Sequence, residues 1–139
     1  MLVRHQATEQ QVLREVGIRP TAPRMTILRA ILDGGHRHLT PESFHQELVD
    51  AGHGLSLATV YNTLNQFAES DLLRRVGCGD RHFFCTNTRE HHHFYDPRTG
   101  RIEDIPDPQP MIMNLPPAPD GMMIEAVEVI VRLRRLPHN

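Results

Sequence analysis

The sequence predicts an α+β fold with its helices first and its strands last. Three observations carry that prediction. Helix-periodic segments, each with its own stop or cap, fill residues 9–70. The apolar period then drops from helical to alternating near Leu72. Past residue 105 a proline-rich stretch leads into a second alternating apolar run. A chain of 139 residues has room for one or two small domains.

The first helix is expected over Glu9 to Val16, with Val12, Leu13 and Val16 on one side and Gly17 as its stop. The second starts near Thr21, a capping residue, with Pro23 in the first turn, where a missing N–H is tolerated. Met25, Leu28, Ile31 and Leu32 make its apolar stripe, and Gly34-Gly35 end it. The third opens on Thr40 as cap, Pro41 at the first helical position and Glu42 against the positive end of the helix dipole; Phe44 and Leu48 lie one turn apart and Gly52 closes it. After the link His53-Gly54-Leu55, Ser56 caps a fourth helix that runs to about Ser70, with Leu57, Val60, Leu64 and Phe67 as its buried stripe. Its other face, with Thr59, Asn62, Asn65, Gln66 and Glu69 and with Tyr61 at the edge, is polar but hardly charged.

Leu72 to Val76, a Gly77-Cys78-Gly79-Asp80 turn and Arg81 to Thr86 read as a β-hairpin. Helix, short link, helix, hairpin is the order of a winged helix-turn-helix. Tyr95 to Ile105 holds a second hairpin around Pro97-Arg98-Thr99-Gly100. Pro106 to Pro119 has six of the eleven prolines and is expected to be irregular. Met123 to Leu133 alternates, with Val127, Val129, Val131 and Leu133 facing one way, and reads as a strand that pairs with a partner subunit. The domain boundary is expected at Asn87 to Glu90, dividing the chain into residues 1–87 and 88–139.

Composition narrows the function. Hydrophobic content of 39% and charged content of 23% suit a globular chain. No apolar run reaches the ~18–20 residues of a membrane span, and the polar stretch from Met1 to Val12 is no secretory signal, so no membrane association and a cytoplasmic location are expected. Net charge is −2, so any nucleic-acid contact must come from a local cluster. All fifteen basic residues are Arg. Of ten histidines, His91, His92 and His93 adjoin, and His36 and His38 flank Arg37. The only two cysteines, Cys78 and Cys85, form no Cys-x-x-Cys pair. Met111, Met113, Met122 and Met123 are expected to fill core.

Two constellations carry chemistry. In a helix-turn-helix the second helix sets its N-terminal residues against base edges in the major groove. Thr59, Tyr61, Asn62 and Asn65 suit that task, since Asn pairs bidentately with adenine and methyl or aromatic surface meets the thymine methyl. The hydroxyls of Thr21 and Ser56 and the side chains of Arg19 and Arg24 are candidates for the DNA backbone, the two arginines also for the minor groove. Read by itself, a helix with one apolar stripe and one polar face is usually an ordinary surface helix. The second constellation is His91-His92-His93. Imidazole binds borderline metals, and on an extended segment His91 and His93 reach one centre while His92 points away. Further ligands are sought among His38, Asp104, Glu103, Cys85 and Glu90. A haem iron would need only one or two axial ligands, from these histidines or from Tyr95 or Cys85. A solvated His-rich turn is the plain alternative.

Together these residues resemble the ferric uptake regulator superfamily and, within it, the iron response regulator branch. The matching stretches are Gly17-Ile18-Arg19-Pro20-Thr21-Ala22-Pro23-Arg24, His38-Leu39-Thr40-Pro41-Glu42, Ser56 to Phe67 with its Leu-Ala-Thr-Val-Tyr centre, and His91-His92-His93. Asn114-Leu115-Pro116 and Val129-Ile130-Val131-Arg132-Leu133-Arg134-Arg135 look like the iron response branch. The resemblance implies an N-terminal winged helix-turn-helix, a small C-terminal α/β dimerisation domain and a homodimer on palindromic operator DNA. It gives Tyr61 to the recognition helix, with Asn62 where an Arg is common, and Arg19 to the minor groove. It draws a sensory metal site from His38, His93 and Asp104, with Cys85 near the place of a glutamate and Tyr95 at that of a histidine. It implies no structural four-cysteine zinc, and Phe94 stands where a further metal site has an acid. In the iron response branch the cluster His91, His92, His93 goes with haem, though this chain has no Cys-Pro pair.

The expected function is an iron-responsive regulator that binds DNA when iron is scarce, with haem or iron at the cluster weakening that binding through the segment Asn87 to Tyr95. The alternative is a zinc, manganese or iron sensor without haem. An enzyme is not expected: three adjacent histidines cannot all face one metal in regular structure, and neither a Gly-rich phosphate loop nor a nucleophile–base pair is found.

Overall fold

The computed structural model describes residues 8–138; the polar lead-in before Thr8, with His5, lies outside the described residues. The chain forms two compact units, one ending at Thr88 and the other starting at Arg89.

The first unit contains α1 (Glu9–Glu15), α2 (Ala22–Asp33), β1 (His38–Leu39), α3 (Pro41–Asp50), α4 (Leu57–Glu69), β2 (Arg74–Cys78) and β3 (Arg81–Cys85). Each helix opens on a hydroxyl: Thr8, Thr21, Thr40 and Ser56 accept from the backbone N–H of Gln11, Arg24, Ser43 and Thr59. Such a cap answers one of the donors every helix start leaves bare, and its loss costs about 1 kcal/mol. The helices close over a core that includes Leu13, Ile27, Phe44, Leu48, Val60, Leu64 and Phe67. The strands form one antiparallel sheet in the order β1-β3-β2.

Three details differ from the sequence expectation. On α4, Leu57 is exposed while Thr63 and Ala68 are buried. The face therefore runs Val60, Thr63, Leu64, Phe67, Ala68, a full helical stripe, and Leu57 at the first helical position lies past its edge. In the hairpin, Cys78 pairs with Arg81, so Gly77 and Cys78 belong to the strand and only Gly79-Asp80 turns. Gly79 sits at φ +65°, a conformation that strains any residue with a Cβ. Strand β1 has no counterpart in the sequence expectation. Two residues show no period, and its existence depends on β3 and on Thr86, whose hydroxyl accepts from Arg37 N–H at 2.8 Å.

The second unit contains β4 (His93–Asp96), β5 (Arg101–Asp104) and β6 (Ile130–Arg132), in the order β5-β4-β6. The turn 97–100 joins β4 and β5 antiparallel, while β6 lies parallel to β4. Residues 106–129 contain neither helix nor strand. The whole chain is α+β, with every helix among the described residues in the first unit. Among the described residues, 89–138 hold strands and no helix, and the prolines, which lack an N–H, keep 106–119 irregular as expected. The strand expected over Met123 to Leu133 shortens to three residues in register with β4, with the flanking Val129 and Leu133 hydrogen-bonded to His93 and Tyr95. The methionines expected as filler are exposed, Met111 by 85% and Met123 by 84%.

Candidate functional site

Helix α4 carries the first candidate site. With its apolar stripe buried, α4 turns Thr59, Tyr61, Asn62 and Asn65 outward, and Tyr61 is 51% exposed. An open cleft of about 600 Å³ between α2 and α4 is lined by Thr21, Pro23, Arg24, Thr59, Asn62, Asn65 and Gln66. Five of the eight residues expected at a DNA interface thus share one concave surface. Arg19 joins them through its carbonyl, which accepts from Arg24 Nη1 at 2.8 Å. Tyr61 faces a second groove, which Asn65 also borders, toward the β2–β3 hairpin.

The hydroxyls and Asn65 are already occupied. Ser56 Oγ donates to Thr59 Oγ1 at 2.9 Å and accepts from Thr59 N–H, and Thr21 Oγ1 accepts from Arg24 N–H, so both act as helix caps. Asn65 Nδ2 donates to the Tyr61 carbonyl at 3.1 Å, and Asn65 Oδ1 accepts from Arg75 at 3.0 Å. Asn62 makes no side-chain hydrogen bond among the described residues and keeps its amide for a ligand. Sequence reasoning missed Arg75; its partner lies ten positions away on another element, beyond the reach of local periodicity.

The second candidate site lies in the second unit. The antiparallel register sets His93 directly opposite Asp104, and directly opposed residues share a sheet face. His91, two residues earlier, reaches the same carboxylate: Asp104 Oδ1 lies 3.0 Å from His91 Nε2 and 3.2 Å from His93 Nε2. Both imidazoles are buried, with ring centroids 4.5 Å apart and planes tilted by 60°. The backbone carbonyl of Arg89 holds His91 Nδ1, the kind of outer partner that fixes a ligating imidazole's orientation. Ligand atoms of His91, His93 and Asp104 lie within 4.8 Å of one another. Two donors on one tetrahedral ion at about 2.1 Å would be roughly 3.4 Å apart, so this trio fits a small divalent metal.

His92 is separate from the pair. Its Nδ1 accepts from Val129 N–H at 2.9 Å, and its own N–H donates to Gln109 Oε1, so the three imidazoles do not converge. In the first unit, His38 stands opposite Cys85 in the β1–β3 register, and both can offer ligand atoms. Register across a two-residue strand leaves no sequence signal, so this pairing was not legible.

Residues 15–116 match the model of the ferric uptake regulator family. The chain belongs to the ferric uptake regulator family. It is 33% identical over 101 residues to the ferric uptake regulation protein of Legionella pneumophila, covering 71% of this chain and 74% of that protein. It is 33% identical to that of Shigella flexneri over 58% of this chain and 55% of the relative, so the match spans little more than half of that length. The fold superposes on the ferric uptake regulator of Pseudomonas aeruginosa, solved with manganese, at a TM-score of 0.71 and 24% identity over 93% of this chain and 98% of the other. Both candidate sites fall inside the span that matches this family.

Proposed function

We propose that this ferric uptake regulator family chain is a metal-responsive transcription regulator. It acts in the cytoplasm as a homodimer on palindromic operator DNA, with α4 in the major groove and a divalent metal, iron foremost, at His91, His93 and Asp104. The observation that carries the metal reading is the convergence of two buried imidazole nitrogens on one carboxylate oxygen at 3.0 and 3.2 Å. Metals of this class take four or more ligands, so the trio is a partial set. Family membership supports the DNA reading, as does the exposed face of Tyr61 and Asn62 beside Thr21 and Arg24. The curated relatives share the ferric uptake regulation name, and the Pseudomonas aeruginosa regulator was solved with manganese.

Haem at His91, His92 and His93 is the second reading, tied to the resemblance to the iron response regulator branch. The half-buried His92, directed apart from the other two imidazoles, is the residue that would favour it as an axial ligand. The tilted, buried His91–His93 pair aimed at Asp104 favours a compact ion. We assign the metal reading priority on that ground.

The test uses the full chain with Fe(II) under anaerobic conditions and Mn(II) as a stable probe, alongside haemin. His93→Ala is expected to weaken Fe(II) and Mn(II) binding by at least about a hundredfold, beyond the 10–100-fold typical of losing a ligand's hydrogen-bond partner. Tyr61→Ala is expected to leave metal binding intact and to abolish selection of operator sequence. His93→Ala protein that binds both metals like wild type would overturn the metal assignment. A Soret band that forms on haemin addition and is lost on His92→Ala would replace it with the haem reading.

A further inference from the structure

Asn65 and Arg75 lock together where α4 meets β2. Asn65 Oδ1 accepts from Arg75 Nε at 3.3 Å and from Nη2 at 3.0 Å, and Nη2 also donates to the Asn65 backbone carbonyl at 3.2 Å. The Asn65 amide group donates back to the Tyr61 carbonyl. An Asn side chain has one carbonyl with two acceptor positions and one amide with two donors. Both acceptor positions here are filled by a guanidinium, and one donor is used within the helix. Bidentate pairing with adenine needs the carbonyl and the amide at once. Asn65 is therefore committed to the protein, whereas Asn62 is open.

The arrangement orients Arg75. Its side chain is 49% exposed. Nε and Nη2 are held by Asn65, and Nη1 has no partner among the described residues. Glu69 Oε1 lies 3.8 Å from Nη2 and is itself 71% exposed, a surface pair of little strength. Arg75 lines the same groove as Tyr61, Arg81 and His82. A planar guanidinium fixed on one edge and open on the other is prepared for a phosphate oxygen, with its ordering cost already met in the free protein.

We propose that Arg75 is a phosphate-binding residue of the DNA interface and that Asn65 is its positioning residue, not a base reader. The proposal rests on the reading of α4 as the groove-reading helix. Its ligand is the sugar-phosphate backbone of the strand flanking the groove into which Tyr61 points.

The experiment takes duplexes selected by the full-length wild-type protein from a randomised library, with and without Mn(II), and measures affinity across a salt series. Arg75→Ala is expected to lower affinity for every selected duplex by a similar factor, about tenfold. The slope of log Kobs against log salt should fall by about 0.9 for each phosphate that is no longer neutralised. Arg75→Lys should keep most of that slope, and Arg75→Gln serves in place of alanine should the latter fail to fold. Asn65→Ala should cause a smaller uniform loss, leave base preference unchanged and add little to Arg75→Ala in the double variant. Asn62→Ala should instead change preference at one base pair. An Arg75→Ala slope equal to wild type would overturn the phosphate role. A shift in base preference at a single position with Asn65→Ala would return Asn65 to the base readers. Wild-type protein that selects no duplex would bring down the groove-reading assignment itself, and Arg75 with it.

Discussion

The two units handle their apolar residues in opposite ways. Among the described residues, eighteen buried apolar side chains lie at or before Cys85 and three, Tyr95, Ile102 and Ile105, lie after it. The large exposed apolar residues divide the other way: Val49, Leu57 and Tyr61 in the first unit, but Met111, Met113, Leu115, Met122, Met123, Ile124, Leu133 and Leu136 in the second. Fully burying one such side chain is worth about 1.5–3 kcal/mol. The first unit therefore gains its hydrophobic stabilisation within one chain. The second leaves most of its own unrealised, and so much exposed apolar surface is rare on a monomer. Residues 89–138 accordingly suit one half of a structure whose other half is a second copy, as the proposed homodimer requires.

If this contrast is right, each unit should respond to a different kind of damage. Phe67 is fully buried under α4, so Phe67→Ala should cost about 3–5 kcal/mol. The helical melting midpoint, followed by circular dichroism, should then fall by at least roughly 12 °C, at 4–8 °C per kcal/mol for a domain this small. A drop of only a few degrees would mean the first unit is not self-sufficient. The matching change in the second unit replaces Met111, Met113, Met122 and Met123 with Ser. Self-association measured by sedimentation should weaken by at least about a hundredfold, each tenfold being 1.4 kcal/mol, while helical secondary structure is retained. Unaltered association would show that these methionines do not meet the partner.

The same contrast explains what was legible in the sequence. The helices were readable because their signals are local. Thr40-Pro41-Glu42 announces a start, Gly52 a stop, and Val60, Leu64 and Phe67 recur at helical spacing whatever lies elsewhere. The cap at Thr8 was legible in principle, as Gln11 completes its capping box. The expected alternation of Val127 to Leu133 failed for the converse reason. Alternation reports a face that wants cover, and in one chain only Ile130–Arg132 finds a strand to pair with. Methionines 111, 113, 122 and 123 read as filler because composition cannot say which chain supplies the core. In the candidate metal site, His91 and His93 were recognisable from the alternation of an extended segment, but Asp104 as their shared partner follows from register across a turn. Arg75 was invisible, because nothing near it in the sequence foretells Asn65.

In the second unit, with so few apolar side chains buried, local polar turns carry more of the order, and Asp96 tests that claim. Its carboxylate accepts from Arg98 N–H at 2.9 Å across the β4–β5 turn. That bond, helped by Thr99 and by the more distant positive charge of Arg135, holds the Asp96 carboxyl below its ordinary value against a smaller opposing effect of lost hydration. A carboxyl with a depressed folded value stabilises the fold above its unfolded value, near pH 4, and loses that contribution as the pH falls through the folded value. Asp96→Asn keeps an acceptor oxygen but not the charge. The variant should melt slightly below wild type at pH 7, and the gap should close as the pH falls through the lowered Asp96 value, beneath the ordinary carboxylate range. Because Asp96 is at the surface the effect is expected to be the smallest of the set. A gap that persists unchanged into acid would assign the turn's stability to its hydrogen-bond geometry alone and remove charge from the account of how this unit stays ordered.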